Sequence, residues 1–150
     1  RLRQEMIKTQ RSGSKLVLLF LDLDRFKEVN DTLGHDKGDV LLAQVARRIV
    51  GCVRESDTVA RLGGDEFTVI LTEIVELGSV ERVAQAIIDA LSQPFHLGAD
   101  VADISASVGI AVYPTDSTDA AQLLNMADQA MYSAKNAGRS RFGYCLEQRV

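Results

Sequence analysis

An α/β fold with a central, mostly antiparallel sheet flanked by helices is predicted by three features of the chain. Apolar runs at 15–21, 67–71 and 101–112 have strand character, the last alternating as a half-buried strand does. Amphipathic stretches lie between and after them, with apolar residues at helical spacing over 26–33, 40–49, 80–91 and 123–134. The pair Gly63-Gly64 stands between two strand-prone segments, 59–62 and 67–71, where a tight hairpin turn needs backbone freedom.

The elements follow in order. Residues 1–11 place Leu2, Met6 and Ile7 at the spacing of a short helix, broken by Ser12-Gly13-Ser14. The uninterrupted apolar run that follows reads as a central strand buried on both faces, ending in Asp22-Leu23-Asp24. Acids where a buried strand surfaces need a reason, and a purely structural one is open to Asp24, as cap of the next helix, whose stripe is Phe26, Val29 and Leu33. Gly34 ends that helix, and His35-Asp36-Lys37-Gly38 reads as a polar loop. A longer helix carries Val40, Leu41, Val45, Ala46 and Ile49 on its core face, with Asp39 in its first turn. After the hairpin, Val80, Val83, Ala84, Ile87, Ile88 and Leu91 form an amphipathic helix that Pro94 stops. Residues 95–97 and 101–112 read as two strands joined by Gly98-Ala99-Asp100. Thr118 or Asp119 caps a last helix, Gly138 ends it, and 141–145 form a closing edge strand.

Strand–helix–strand–strand–helix–strand is the order of a ferredoxin-like, palm-type sheet with its helices on one face, here with an added C-terminal hairpin–helix region. In that order the end of the first strand lies beside the hairpin. Asp22 and Asp65 then converge across 43 positions.

At 150 residues, 46% apolar and 25% charged, the chain suits a single domain spanning 1–150. A net charge of −4 argues against a nucleic-acid polymer or an anionic membrane surface as partner. Cys52 and Cys145 match no metal-ligand or redox spacing and read as reduced packing residues of a cytoplasmic domain, one that can belong to a membrane-anchored protein. The run 16–21 is too short to span a bilayer. Opening at Arg1, the chain reads as an N-terminally truncated piece of a longer multidomain protein.

Acids meeting at the rim of a sheet, with Lys27 and Lys135 in reserve, suit magnesium-dependent phosphoryl transfer, because magnesium bridges carboxylates to substrate phosphates. The residue pattern alone leaves open a solvated hairpin turn and solvated helical lysines.

Gly63-Gly64-Asp65-Glu66-Phe67 reproduces the name-giving motif of the GGDEF family of diguanylate cyclases. Asp22-Leu23-Asp24-Arg25-Phe26-Lys27, Asn30-Asp31-Thr32-Leu33-Gly34-His35 and Gly38-Asp39 resemble its first active-site segment. The stretch 128–139 resembles its C-terminal motif. The resemblance covers nearly all of 15–144. It implies Asp22, the backbone carbonyl of Leu23 and Asp65 as ligands for magnesium or manganese, two ions per active site. Glu66 and Lys27 take catalytic roles, Glu66 as general base or a second metal contact at the attacking 3′-hydroxyl. Lys27, Lys135 and Arg139 hold the triphosphate, and Gly63 and Gly64 let the backbone lie against the nucleotide. Asn30 and Asp39 read guanine, with His35 near the base or ribose. Arg54 and Asp57 match the family's Arg-x-x-Asp product-inhibition site, whose second arginine has no clear counterpart near Gln85 or Ala86.

The implied activity is condensation of two GTP into cyclic di-GMP and two pyrophosphates by a homodimer of facing half-sites. The alternative is a GTP-binding or cyclic di-GMP-binding regulatory module controlling an attached EAL phosphodiesterase domain, since residues 141–144 resemble the junction that precedes one. Fused sensor domains are also expected. The family's opening Asp-x-Leu-Thr-x-Leu-x-Asn-Arg segment has no counterpart here, and weaker nucleotide binding or fold stability is the expected consequence.

Overall fold

A computed structural model describes residues 1–145. The elements run α1 (Leu2–Ser12), β1 (Lys15–Asp24), α2 (Phe26–Leu33), α3 (His35–Val50), β2 (Thr58–Gly63), β3 (Glu66–Ile74), α4 (Leu77–Leu91), β4 (Phe95–Leu97), β5 (Asp100–Ala102), β6 (Ser105–Tyr113), α5 (Ala120–Asn136) and β7 (Arg141–Tyr144). Five strands form the main sheet in the order β2-β3-β1-β6-β7, antiparallel except where β7 joins β6 in parallel. The strands β4 and β5 pair only with each other.

The uninterrupted apolar run of β1 is explained by its place: β3 flanks it on one side, β6 on the other, and helices cover both faces. Its odd residues, Val17, Leu19, Leu21 and Leu23, pack with Leu41, Val45 and Ile49 of α3 and Ile87 and Leu91 of α4. Its even residues, Leu16, Leu18 and Phe20, pack with Met6 of α1 and Leu123, Ala127 and Met131 of α5. The order β2-β3-β1-β6 is the ferredoxin-like core, and α3 and α4 share one face as expected of it. Helices α1 and α5 close the opposite face, which that core alone leaves bare.

Gly109 of β6 sets how closely α5 lies on the sheet. A Cβ there would stand 2.0 Å from the Ala127 carbonyl oxygen and 2.2 Å from the Met131 amide nitrogen. The last turn of α5 is thereby held low over the end of β1.

Three local expectations change. The helix α3 begins at His35, so residues 35–38 are helical, and Gly34 (φ 93°) alone forms the joint with α2. Gly38 packs against the Asn30 side chain: a Cβ there would lie 1.8 Å from the Asn30 Oδ1. The run 101–112 is two strands, because β5 pairs with β4 while β6 pairs with β1, and Asp103-Ile104 carries the chain between the two sheets. Asp24 does not cap α2; Arg25, in the left-handed region at φ 70°, holds the N-cap position without a side-chain cap. Asp119 does cap α5, accepting from the Gln122 amide at 2.8 Å.

Candidate active site

The hairpin between β2 and β3 turns through Gly64 and Asp65. Gly64 sits at φ 49°, a conformation costly for most L-residues, and a Cβ at Gly63 or Gly64 would meet nothing within 4 Å. The chain itself therefore does not need this surface bare, and the space beside the turn stays open to a ligand.

The antiparallel register sets Asp22 opposite Glu66, and the Leu23 amide donates to the Asp65 carbonyl at 3.1 Å. The tip of the hairpin is thus fastened to the end of β1. Lys135, from the last turn of α5, reaches Asp22 Oδ2 at 2.6 Å. The other oxygen, Asp22 Oδ1, is buried without a hydrogen-bond partner. It belongs to a carboxylate that faces Asp65, and the two share a hydrogen bond only when one of them carries a proton.

Burial, then the charge and hydrogen bond of Asp22, pushes the Asp65 carboxyl up to about 6, against the opposing pull of Lys135. Burial first, then the charges of Asp22 and Asp128, also raise Glu66 above its ordinary range. The hydrogen bond to Asp22 leads in raising the Lys135 ammonium, against partial burial.

Two crowded carboxylates with an orphaned oxygen are what a hard divalent cation relieves. Magnesium is commonly held by one or two carboxylates with substrate phosphates completing the shell. Among the described residues no group of three or more His, Cys, Asp or Glu gathers into a metal site by itself.

Beside these acids opens a cavity of about 840 Å³, lined by Lys27, Asp65, Lys135 and Arg139 together with Leu23 and Ser140. The first turn of α2 also borders it through Phe26 and Lys27, and a helix N-terminus offers free N–H groups to an anion.

A family model described as "Diguanylate cyclase, GGDEF domain" matches residues 1–141. This chain is a GGDEF domain. MucR of Pseudomonas aeruginosa, named a bifunctional diguanylate cyclase/cyclic di-GMP phosphodiesterase, is 46% identical over 97% of the chain and 21% of its own length. DosC of Escherichia coli K12, named a diguanylate cyclase, is 39% identical over 93% of the chain and 30% of its own length. The chain therefore spans less than a third of these relatives. The crystal structure of the GGDEF domain of TpbB (YfiN) from Pseudomonas aeruginosa superposes with a TM-score of 0.93 at 42% identity, covering 96% of this chain and 90% of that one. The GGDEF domain of DgcB from Caulobacter crescentus, solved in complex with c-di-GMP, gives 0.84 at 28% identity over 97% and 86%.

Within this GGDEF domain the structure gathers Asp22, Leu23, Lys27, Asp65, Lys135 and Arg139 at one end of the sheet, with Glu66 beside them. Asp39 lies apart from that cavity. It lines a second one, about 570 Å³, between α3 and the hairpin, with Leu42, Ala46, Arg61 and Phe67. Asn30 points its buried, unpartnered Oδ1 at Gly38, the residue before Asp39. His35 is exposed and lines neither cavity. Arg54 and Asp57 pair at 3.2 Å on the far side of β3, where Asp57 also accepts from the Arg54 amide at 2.9 Å and the Thr72 amide at 3.3 Å.

Asp128 and Ser140 are among the residues of this region not singled out as site residues from the sequence. Asp128 reaches Glu66 electrostatically. Ser140 reaches the cavity from a turn beyond the C-terminal motif. Asp128 opens the stretch 128–139 that resembles the C-terminal motif, and the helical register of α5 sets it seven positions before Lys135 on the same face.

No helix among the described residues is long and apolar enough to cross a membrane.

Proposed function

We propose that this domain is a diguanylate cyclase that condenses two GTP into cyclic di-GMP and two pyrophosphates. The observation that carries the reading is the Asp22–Asp65 pair, with its orphaned oxygen, at the mouth of a cavity that also holds Lys27, Lys135 and Arg139.

Each linkage forms when the ribose 3′-oxygen of one nucleotide bonds to the α-phosphorus of the other. The bond to pyrophosphate breaks as that bond forms, and the hydroxyl proton passes to Glu66. Burial and the neighbouring charges of Asp22 and Asp128 raise its pKa, which makes the Glu66 carboxylate a stronger base than a solvated glutamate. Asp22, the Leu23 carbonyl and Asp65 would hold magnesium or manganese, two ions per site. Once bound, the metal supplies charge neutralisation at the phosphates and a lowered pKa for the nucleophile. Lys27, Lys135 and Arg139 take the triphosphate, and their charges stabilise the departing pyrophosphate. Gly63 and Gly64 let the nucleotide lie against the backbone.

Asn30 and Asp39 read the guanine edge, with His35 near the base or ribose. An ionised Asp39 accepts from the N1–H and N2–H₂ donors of guanine, and adenine leaves it unpaired. One guanine pocket and one triphosphate cradle per chain require a second copy facing the first, so catalysis takes place in a homodimer. Arg54 and Asp57 form a cyclic di-GMP site that restrains turnover. GTP as substrate places the domain in the cytoplasm, within a longer protein carrying sensor or EAL domains.

Incubation of the chain with GTP and magnesium, followed by chromatography, should yield cyclic di-GMP. Specific activity should rise over a hundredfold concentration series and on fusion of a parallel coiled coil ahead of Arg1. GTP binding without product in either format would favour the regulatory reading, for which two relatives speak. NbdA of Pseudomonas aeruginosa and PdeR of Escherichia coli K12, 38% and 40% identical, are named cyclic di-GMP phosphodiesterases.

A further inference from the structure

Asp24 is a buried acid beside the site that the proposed chemistry leaves unused. Its side chain is 0% exposed, and it lies on the same face of β1 as Asp22. A carboxylate so placed persists only when its oxygens are satisfied. Its Oδ2 accepts from the Ser105 hydroxyl at 2.6 Å and from the Ser140 amide at 3.2 Å. Its Oδ1 accepts from the Ser107 hydroxyl at 2.8 Å and stands 4.0 Å from Arg139 Nε. Both serines belong to β6, the strand paired with this end of β1.

The segment held by Asp24 has unusual backbone. After Gly138 at φ 132°, Arg139 and Ser140 both adopt left-handed conformations, at φ 63° and 48°. Two consecutive L-residues there need outside support. The Arg139 amide finds it in the Ala134 carbonyl at 3.2 Å, and the Ser140 amide in Asp24. This turn forms one wall of the 840 Å³ cavity and carries the Arg139 guanidinium.

We propose that Asp24, clamped by Ser105 and Ser107, is a positioning residue that holds the Arg139–Ser140 turn so that Arg139 is presented to the triphosphate. The proposal rests on the nucleotide reading of the cavity given above. Asp24 touches neither substrate nor metal in this scheme; it acts through Arg139. An amide oxygen accepts fewer hydrogen bonds than a carboxylate, so Asp24→Asn leaves at least one of the three donors unserved.

The test is titration of a non-hydrolysable GTP analogue and of GMP, each with magnesium, into wild type, Asp24→Asn, Arg139→Ala and the double variant. Amide exchange at Ser140 is followed in parallel. Asp24→Asn should weaken the triphosphate ligand about tenfold, the scale of a lost charge-assisted contact, and leave GMP nearly unchanged. In the Arg139→Ala background it should have no further effect, and Ser140 exchange should accelerate while the β1 amides stay protected. Equal losses in both backgrounds, or unchanged Ser140 exchange, would overturn the positioning role while leaving the nucleotide site intact. A wild-type chain that binds neither ligand would overturn the reading of the cavity and this proposal with it. Should Asp24→Asn fail to fold, the Ser105→Ala/Ser107→Ala variant loosens the same carboxylate and must show the same non-additivity with Arg139→Ala.

Discussion

Asp22 and Asp24 are two residues apart on one face of one strand, and their surroundings differ in kind. Asp24 is wholly buried and takes two hydroxyls and an amide. Asp22 has a single ammonium on one oxygen, nothing on the other, and a second carboxylate facing it. The saturated acid holds the fold, and the unsaturated one keeps free valence for something the chain does not supply. The number of donors around a buried carboxylate therefore separates the two roles better than its burial or its motif position.

The largest expected effect is on turnover. Asp22→Asn should lower cyclic di-GMP formation by at least ~100-fold, the scale of losing one electrostatic stabiliser, while shifting metal-free stability by under ~1 kcal/mol. Its ion pair with Lys135 is partly solvated, and the repulsion from Asp65 is relieved at the same time. Asp24→Asn should do the reverse in urea melts, costing about 2 kcal/mol because donors are left buried. Equal stability losses for the two variants would break the comparison.

A pH series sharpens it. Asp65 has a folded pKa of about 6 against an ordinary 3.8, so the folded state holds its proton more tightly than the unfolded chain. Stability in the presence of a chelator should then fall as pH rises from about 4 to about 6 and stay at the lower level above that. Asp65→Asn should abolish the step. Magnesium should restore stability at pH 8 and do little at pH 4, because cation and proton compete for the same oxygens. A wild-type melting curve flat across this window would contradict the crowding of Asp22 and Asp65.

The smallest expected effect concerns Arg54 and Asp57, another satisfied acid. Asp57 is 2% exposed and fed by two backbone amides, whereas Arg54 is 53% exposed. Arg54→Ala should cost less than ~1 kcal/mol, and Asp57→Ala should cost more. Only the arginine variant then tests cyclic di-GMP binding cleanly, by calorimetry at unchanged melting temperature.

Much of this arrangement is legible from spacing. The apolar run of β1, the Gly63-Gly64 turn and the stripe of α5 lead to the correct sheet and to the meeting of Asp22 with Asp65. Asp24 could not be read the same way. Its partners Ser105, Ser107 and Ser140 lie 81, 83 and 116 positions away, while helix capping is a local rule that offered a nearer explanation. Gly38 misled for a similar reason: near Gly34 it looks like part of a loop, yet its small size serves Asn30 from within a helix. The division of 101–112 followed from pairing partners, which alternation along one strand does not record.

The contact at Gly109 makes α5 a lever with its fulcrum in the middle of β6. The helix rests its backbone on that glycine at Ala127 and Met131, and Lys135 projects one turn beyond. A single methyl group at position 109 would raise the fulcrum and lift the lysine from Asp22 without touching a residue of the site. The grip of an ammonium on a carboxylate is thus set by a position that carries no charge. Comparing manganese affinity, without nucleotide, between wild type and Gly109→Ala would measure that leverage: tighter metal binding is expected where the lysine has withdrawn.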